Sequence, residues 1–296
     1  MNKESKDTQK GRTDMEENKP HVRRKRYSGT HPKKFEEKYK ELNPEKYADT
    51  IEHVISKGIT PAGMHISICV NEILDFLQIK PGQKGLDATF GYGGHTRKML
   101  EKLEGEGHMY ALDIDPIEIK KTTGRLRDAG YGEDILTVKQ MNFADIDKLV
   151  PESGLFDFVL ADLGVSSMQI DNPERGFSYK VDGPLDLRLN PEAGVPAAER
   201  LAELDEDEIV GMLVENSDEP YAEQIAAQIM RERKRKHAID TTTALRQVIE
   251  KALEFLPEAE RREMVKKSCQ RTFQALRIDV NSEFEVLDAF LSKLPG

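Results

Sequence analysis

The spacing of apolar residues divides the chain into parts with different periodicity. Residues 1 to about 30 lack apolar periodicity, which predicts disorder. Residues 33–57 have helical spacing and predict an N-terminal helical extension, and the Gly- and Pro-containing segment 58–63 predicts a turn or linker. A short amphipathic helix is predicted at 70–77, where Ile73, Leu74 and Leu77 share one face.

Residues 84–162 alternate between short apolar runs and amphipathic stretches. Strands are predicted at 84–88, 108–114, 135–141 and 156–162, and helical stretches at 96–103, 116–129 and 146–150. The fourth run is almost continuously apolar, which is typical of a buried parallel strand. The alternation predicts an α/β protein with a doubly wound sheet.

The pattern changes after residue 165. Residues 165–195 are rich in loop-forming residues, whereas 197–267 have helical spacing and predict an all-helical insertion. An amphipathic helix at 282–294 ends the pattern. The predicted domains are a basic and helical extension at 1–63, a sheet domain at 64–164 and 276–296, and a helical insertion at 165–275.

Composition restricts the class of protein and its compartment. The 296 residues are 38% hydrophobic and 33% charged, and no apolar run approaches the roughly 18 residues of a membrane helix. The N-terminus lacks the apolar core of a signal peptide. Cys69 and Cys269 form no metal-binding pattern. We therefore expect a cytoplasmic protein without a metal site; the oligomeric state is not predicted.

Charge is unevenly distributed along the chain. The net charge is −10, yet residues 21–26 and 231–237 are basic runs, and acid is concentrated at 203–208. A local basic patch, rather than net charge, binds phosphate groups. Each run has an alternative interpretation as a solvated helix face or tail.

A glycine-rich turn follows the first predicted strand at residues 87–95. A strand, a glycine turn and a helix can hold a cofactor at the helix N-terminus. Thr96 stands where a dinucleotide fingerprint needs glycine, which disfavours an NAD- or FAD-dependent oxidoreductase. Asp113, at the end of the second strand, can accept hydrogen bonds from ribose hydroxyls. A tight turn and a strand-end aspartate in any α/β protein are the alternative.

Asp162 follows the fourth predicted strand. Ligands of open α/β sheets lie beyond the carboxyl ends of the strands, so Asp162 is expected to face the same crevice as Gly93. Its carboxylate can accept a hydrogen bond from an amine. The alternative is a helix N-cap formed by Asp162 or Ser166.

Five motifs in a fixed order resemble the small-subunit ribosomal RNA methyltransferase H family, over about residues 64–296. They are 87–95 (DATFGYGGH), 161–167 (ADLGVSS), 171–178 (DNPERGFS), 182–188 (DGPLDLR) and 271–278 (RTFQALRI), the last followed by 280–283 (VNSE). The resemblance implies a Rossmann-like class I methyltransferase sheet with an all-helical insertion. It also implies methyl transfer from S-adenosylmethionine to N4 of a cytosine in the decoding region of 16S rRNA.

The resemblance also implies roles for individual residues. The cofactor contacts carried over by motif are Gly93, Gly94 and His95 at the turn, Asp113 at the ribose, Phe143 beside the adenine, and Asp162 with Gln169. Asp162 is the candidate catalytic residue, which would orient the amine and help its proton leave.

Four basic residues are candidates for contact with RNA. Arg175 and Arg188 lie in the polar loop 171–188, and Arg233 with Lys234 lies in the basic run 231–237. Structural ion pairs are the alternative for these arginines.

Two departures from the family pattern affect the expectation. The family opens with a His-x-Pro-Val-Leu-like stretch, which here reads His65-Ile-Ser-Ile-Cys69, and residues 1 to about 60 extend beyond that start. The family also continues past Pro295-Gly296 with a strand and a Phe-His-Ser-Leu-Glu-Asp-Arg-like motif. We expect a shortened chain with a sheet incomplete on one side, which makes a non-catalytic RNA-binding remnant the alternative function.

Overall fold

The computed structural model describes residues 67–294. The predicted extension at 1–63, including its helix at 33–57 and the basic run 21–26, lies outside these residues.

A four-stranded parallel sheet forms the first half of the described structure. Its strands are β1 Lys84–Asp87, β2 His108–Asp113, β3 Leu136–Gln140 and β4 Phe158–Leu160, arranged in the order β3-β2-β1-β4. β1 pairs in parallel with β2 on one side and with β4 on the other. The predicted α/β class with a parallel sheet is confirmed.

Helices follow each strand and then fill the second half of the structure. In chain order they are α1 Val70–Leu77, α2 Gly94–Leu103, α3 Pro116–Asp128, α4 Val150–Ser153, α5 Ser167–Asp171, α6 Ala197–Glu203, α7 Glu206–Ser217, α8 Ala222–Lys234, α9 Thr242–Ala252, α10 Glu258–Asn281 and α11 Glu283–Lys293. Short 3₁₀ helices occupy Phe143–Lys148 and Pro173–Arg175. None of the helices within residues 67–294 combines the length and apolar character needed to cross a bilayer.

The two faces of the sheet are covered by different helices. On β2, Met109 and Ala111 pack into one buried cluster with side chains of α2 and α3. Tyr110 and Leu112 alternate to the opposite face, in a cluster completed by Phe290 of α11. The sheet is therefore doubly wound, and its second face depends on a helix from the end of the described chain.

The helical insertion has its own core, which extends further along the chain than predicted. Buried side chains of α6 to α10 form one cluster that includes Ala275 and Leu276. α10 runs unbroken from Glu258 to Asn281, so the predicted boundary between residues 275 and 276 falls inside a helix. The chain returns to the sheet at Ser282, whose left-handed backbone (φ 48°) separates α10 from α11.

A buried carboxylate organises the end of α8. The Glu232 side chain is 4% exposed and pairs with His237 Nδ1 at 2.6 Å and with Lys251 Nζ at 3.2 Å. Gln228 donates a hydrogen bond to it at 2.8 Å. The hydrogen bond from His237 is the main cause that lowers the pKa of Glu232 to about 2. Part of the basic run at 231–237 thus folds back onto an internal acid.

We expect Glu232→Gln to destabilise the protein in a pH-dependent way. The pKa of Glu232 is lower in the folded state than its ordinary value of 4.5, so the ionised side chain stabilises the fold above about pH 4.5. This contribution is lost progressively as the pH falls towards 2. Urea denaturation from pH 6 to pH 3 should show the difference between wild type and variant shrinking.

Glu263→Gln is the matched control, because Glu263 pairs with Lys267 on an exposed helix face. It should leave stability almost unchanged at every pH. A Glu232→Gln effect that stays constant from pH 6 to pH 3 would contradict the assigned origin of the stabilisation.

Candidate active site

The carboxyl ends of β1 and β4 define a crevice at the point where strand order reverses. β1, β2 and β3 follow one another in one direction across the sheet, and β4 then pairs on the other side of β1. Such a switch point is the usual ligand site of an open α/β sheet.

The glycine turn leads from β1 into α2 through two left-handed residues. Gly91 has φ 45° and Gly93 has φ 74°, and Gly93 is the N-cap of α2. A Cβ atom on Gly93 would lie 2.6 Å from Thr122 Cγ2, so only glycine allows this close approach of the turn to α3. The first backbone N–H groups of α2, including those of Gly94 and His95, have no partner within the helix and can bind an anionic group.

Two side chains of α3 hold the glycine turn in place. Thr122 Oγ1 donates a hydrogen bond to the carbonyl of Gly91 at 2.8 Å. Arg125 donates to the carbonyl of Tyr92 at 2.9 Å and lies 3.5 Å from the centre of the Tyr92 ring. Neither residue was predicted from the sequence, although their spacing of three residues places them on one face of α3.

Asp113 lies beside the glycine turn at the end of β2. Its Oδ2 accepts the N–H of Gly91 at 2.6 Å, and its Oδ1 accepts the N–H of Asp115 at 2.9 Å. Burial raises the pKa of the Asp113 carboxyl, and these two hydrogen bonds oppose that rise. Each carboxylate oxygen keeps a second lone pair, so Asp113 can still accept hydrogen bonds from a ligand.

Asp87 supports the same turn from beneath. The side chain is fully buried, and it accepts hydrogen bonds from Thr96 Oγ1 at 2.5 Å and from the N–H of Thr89 at 3.1 Å. Burial raises the pKa of Asp87. Thr96, which disfavours a dinucleotide fingerprint, therefore anchors α2 to the end of β1.

Asp162 faces the crevice from the end of β4. Its backbone N–H donates to Thr89 Oγ1 at 2.7 Å, which ties the end of β4 to the end of β1. The side chain is 46% exposed, and its Oδ2 lies 3.5 Å from His95 Nε2. The N-cap of α5 is Ser166, so the alternative role of Asp162 as a helix cap does not hold.

Gln169 and Phe143 both have protein partners. Gln169 is buried; its amide oxygen accepts the Ser166 N–H, and its nitrogen donates to Asp115 at 2.9 Å. The ring of Phe143 packs edge-on against Phe290 at 5.0 Å. Their cofactor contacts stay predictions.

A buried ion pair joins the sheet to the loop that follows β4. Asp115 caps α3 with Oδ1, which accepts the N–H of Ile117 at 3.0 Å. Its Oδ2 lies 2.7 Å from Arg175 Nη1, and the two side chains are 0% and 6% exposed. Arg175 also donates to the carbonyls of Arg188 and Leu189 at 3.1 and 2.8 Å.

These contacts give Arg175 and Arg188 partners inside the protein, and their contact with RNA stays a prediction. Arg175 is buried, and its two terminal nitrogens donate to Asp115 and to the carbonyls of Arg188 and Leu189. Arg188 forms a two-point pair with Asp186, with both contacts at 2.7 Å, and this hydrogen bonding raises its pKa. The structural ion pair, which was the alternative for these residues, is what the structure shows.

Asn281 brings the last motif to the same loop. Its Oδ1 accepts the N–H of Leu189 at 2.8 Å, and its Nδ2 donates to the carbonyl of Leu187 at 2.8 Å. The motifs at 171–178, 182–188 and 280–283 therefore meet around one segment of backbone, although they are separated in sequence.

The two basic candidates in α8 differ in their surroundings. Arg233 is half-buried and donates to the carbonyl of Leu204, so it holds α8 against the end of α6. Lys234 is exposed at the end of the helix. Among residues 67–294, no group of His, Cys, Asp and Glu side chains is arranged to hold a metal ion.

Comparison with known proteins identifies the family. A sequence profile described as the MraW methylase family matches residues 62–295. The chain belongs to this family. The parallel sheet, with helices on both faces, is thus a class I methyltransferase fold, as the motifs implied.

Curated relatives of this MraW methylase match along most of its length. "Ribosomal RNA small subunit methyltransferase H 1" of Lachnoclostridium phytofermentans is 71% identical over 276 residues, which cover 93% of this chain and 75% of the relative. The protein of the same name from Agathobacter rectalis is 69% identical over 282 residues, covering 95% and 81%. "Ribosomal RNA small subunit methyltransferase H" of Thioalkalivibrio sulfidiphilus is 38% identical over 239 residues, covering 80% and 73%.

We expect Arg175→Ala to destabilise the protein by about 3–5 kcal/mol, because it leaves the buried Asp115 carboxylate without its cation. Urea denaturation at pH 7 measures the change. Arg97→Ala is the control: Arg97 pairs with Glu101 on the exposed face of α2 at 3.3 Å, and its loss should cost less than about 1 kcal/mol. Equal costs for the two substitutions would show that the buried pair has no special weight.

Proposed function

We propose that this methyltransferase transfers a methyl group from S-adenosylmethionine to N4 of a cytosine in the decoding region of 16S rRNA. The observation that carries the proposal is the juxtaposition, across the β1–β4 switch point, of the glycine turn at the start of α2 and the carboxylate of Asp162. The names of the relatives support the ribosomal RNA of the small subunit as substrate.

The residues present fit such a cofactor. The free N–H groups at the start of α2 suit a carboxylate, and the remaining lone pairs of Asp113 suit two ribose hydroxyls. Gly93, Gly94, His95 and Asp113 would hold the cofactor, with Phe143 beside its adenine and Gln169 and Asp162 completing the site. When bound, S-adenosylmethionine supplies an activated methyl group and a neutral leaving group.

Asp162 has the chemistry that a cytosine amine needs. The lone pair of this amine is delocalised into the ring, which makes the amine a poor nucleophile. The protein must therefore align the amine with the methyl group and the sulfur. The Asp162 carboxylate would accept a hydrogen bond from the amine and take up the proton that leaves as the new N–C bond forms. Its 46% exposure leaves room for a base to reach it.

The base must leave its stack to reach Asp162. The loop from 171 to 188 is held by Arg175, which pairs with Asp115, and by Asn281, which donates to the carbonyl of Leu187. Lys234 is exposed and is the candidate for a phosphate contact. Arg233 would contact RNA only with the part of its guanidinium that is not bonded to the carbonyl of Leu204.

Transfer of labelled methyl groups to undermethylated small subunits tests the activity. Nucleoside mass spectrometry should find N4-methylcytidine at a single position. Asp162→Ala should lower kcat by about 100-fold or more while changing the affinity for S-adenosylmethionine much less. Asp128→Ala, on the exposed end of α3, is the control and should behave as wild type.

Two results would argue against the proposal. A folded protein that binds small subunits without forming N4-methylcytidine would favour the RNA-binding alternative. Equal losses of kcat and cofactor affinity in Asp162→Ala would reduce Asp162 to a binding or folding role.

Cofactor binding at the glycine turn is tested by Gly93→Ala. The added Cβ collides with Thr122 at 2.6 Å and should raise the Kd for S-adenosylmethionine at least about tenfold in calorimetric titration. Gly105→Ala is the matched control, since Gly105 also has positive φ (83°) but no atom lies within 4 Å of the position that its Cβ would take. Similar Kd values for both variants would place the cofactor elsewhere.

A further inference from the structure

The side chain of His95 is a buried polar group that the cofactor site does not explain. His95 is 8% exposed, and its Nε2 has no hydrogen-bond partner within residues 67–294. Buried polar atoms are nearly always paired, so an unpaired one at a ligand crevice indicates a partner that is engaged only in the working complex.

The nearest carboxylates differ in their availability to His95. Asp87 interacts electrostatically with His95, but its side chain is held by Thr96 and Thr89 and forms no hydrogen bond with His95 Nε2. Asp162 Oδ2 lies 3.5 Å from His95 Nε2, within ion-pair distance but beyond a normal hydrogen bond. The Asp162 backbone is fixed by Thr89, so closing the gap requires movement of the Asp162 side chain alone.

We infer that His95 is a positioning residue for Asp162. An Nε2–H group of the imidazole holds Oδ2 of Asp162, which leaves Oδ1 to accept the hydrogen bond from the substrate amine. The inference rests on the function proposed above. The backbone and the side chain of His95 then have different roles. The backbone N–H, at the N-terminus of α2, faces the cofactor, and the side chain faces the methyl acceptor.

The physical benefit is that the Asp162 carboxylate, and the amine bound to it, rotate less freely. A half-exposed aspartate without a side-chain partner samples several rotamers, and a displacement of about 1 Å in a reacting group can cost about 100-fold in rate. The imidazole is restricted by its burial, and the Thr96–Asp87 hydrogen bond anchors its helix at the end of β1. The contact between His95 and Asp162 therefore links the Asp162 side chain, at the end of β4, to the anchored helix α2.

Three substitutions of His95 separate this role from cofactor binding and from folding. His95→Gln places an amide nitrogen close to the position of Nε2, whereas His95→Asn places it near Nδ1, and His95→Ala removes it. We expect kcat to fall about 100-fold in His95→Ala and His95→Asn, but less than about tenfold in His95→Gln. The Kd for S-adenosylmethionine and the thermal unfolding of the His95→Gln and His95→Asn variants should match each other.

A double-mutant cycle tests whether His95 acts through Asp162. In an Asp162→Asn background, His95→Ala should lower kcat by less than about threefold, because the group that it positions is already lost. An equal loss of kcat in both backgrounds overturns the inference. So does a loss of cofactor affinity in His95→Gln with kcat unchanged.

A spectroscopic readout does not depend on activity. The ¹⁵N NMR resonances of the imidazole, identified by their absence in His95→Gln, should show a protonated Nε2 in wild type and shift in Asp162→Asn. An unchanged spectrum in Asp162→Asn would overturn the inference. If wild type forms no N4-methylcytidine while the spectrum shifts as expected, the proposed function fails and the His95–Asp162 contact stands.

Discussion

The ion pair between Asp115 and Arg175 is the contact on which the arrangement of the site depends. Asp115 is wholly buried and has four donors around it: two N–H groups of α3, the amide of Gln169 and the guanidinium of Arg175. A buried charge pair is costly unless further hydrogen bonds satisfy its remaining donors and acceptors, and Asp115 has such bonds here. The pair therefore selects one position of the loop after β4 relative to the sheet.

From this contact the order of the site can be followed outward. The backbone of Asp115 donates to Asp113, which in turn accepts the N–H of Gly91 in the glycine turn. Arg175, on the other side, holds the carbonyls of Arg188 and Leu189, and Asn281 fixes the same segment from α10. The glycine turn and the loop after β4 are thus joined by one chain of hydrogen bonds.

Much of the sheet and the crevice follows from local sequence. The strands, the glycine turn, and the strand-end positions of Asp113 and Asp162 were predicted because short apolar runs and glycine-rich turns are local signals. For Arg175 and Arg188 the sequence left RNA contact and structural ion pairs open, because an arginine in a polar loop has the same local pattern whether it faces solvent or a carboxylate distant in sequence, as Asp115 is from Arg175. The continuation of α10 through residue 276 was not predicted, because the helical spacing was followed only to about residue 267, whereas the helix runs to Asn281 and buries Ala275 and Leu276 in the core of the insertion.

The position of Phe290 has a consequence for how the chain acquires its shape during synthesis. The second face of the sheet carries Leu86 and Leu112, against which Ile146 packs, and all three emerge from the ribosome early. Phe290, which closes this face, emerges after the whole insertion. Domains fold as their segments become available, and contacts between distant segments form late. The insertion can collapse around its own core while this face of the nascent sheet still exposes apolar surface to water. The growing chain thus exposes an apolar sheet face, to which other apolar surfaces can bind, until α11 is synthesised.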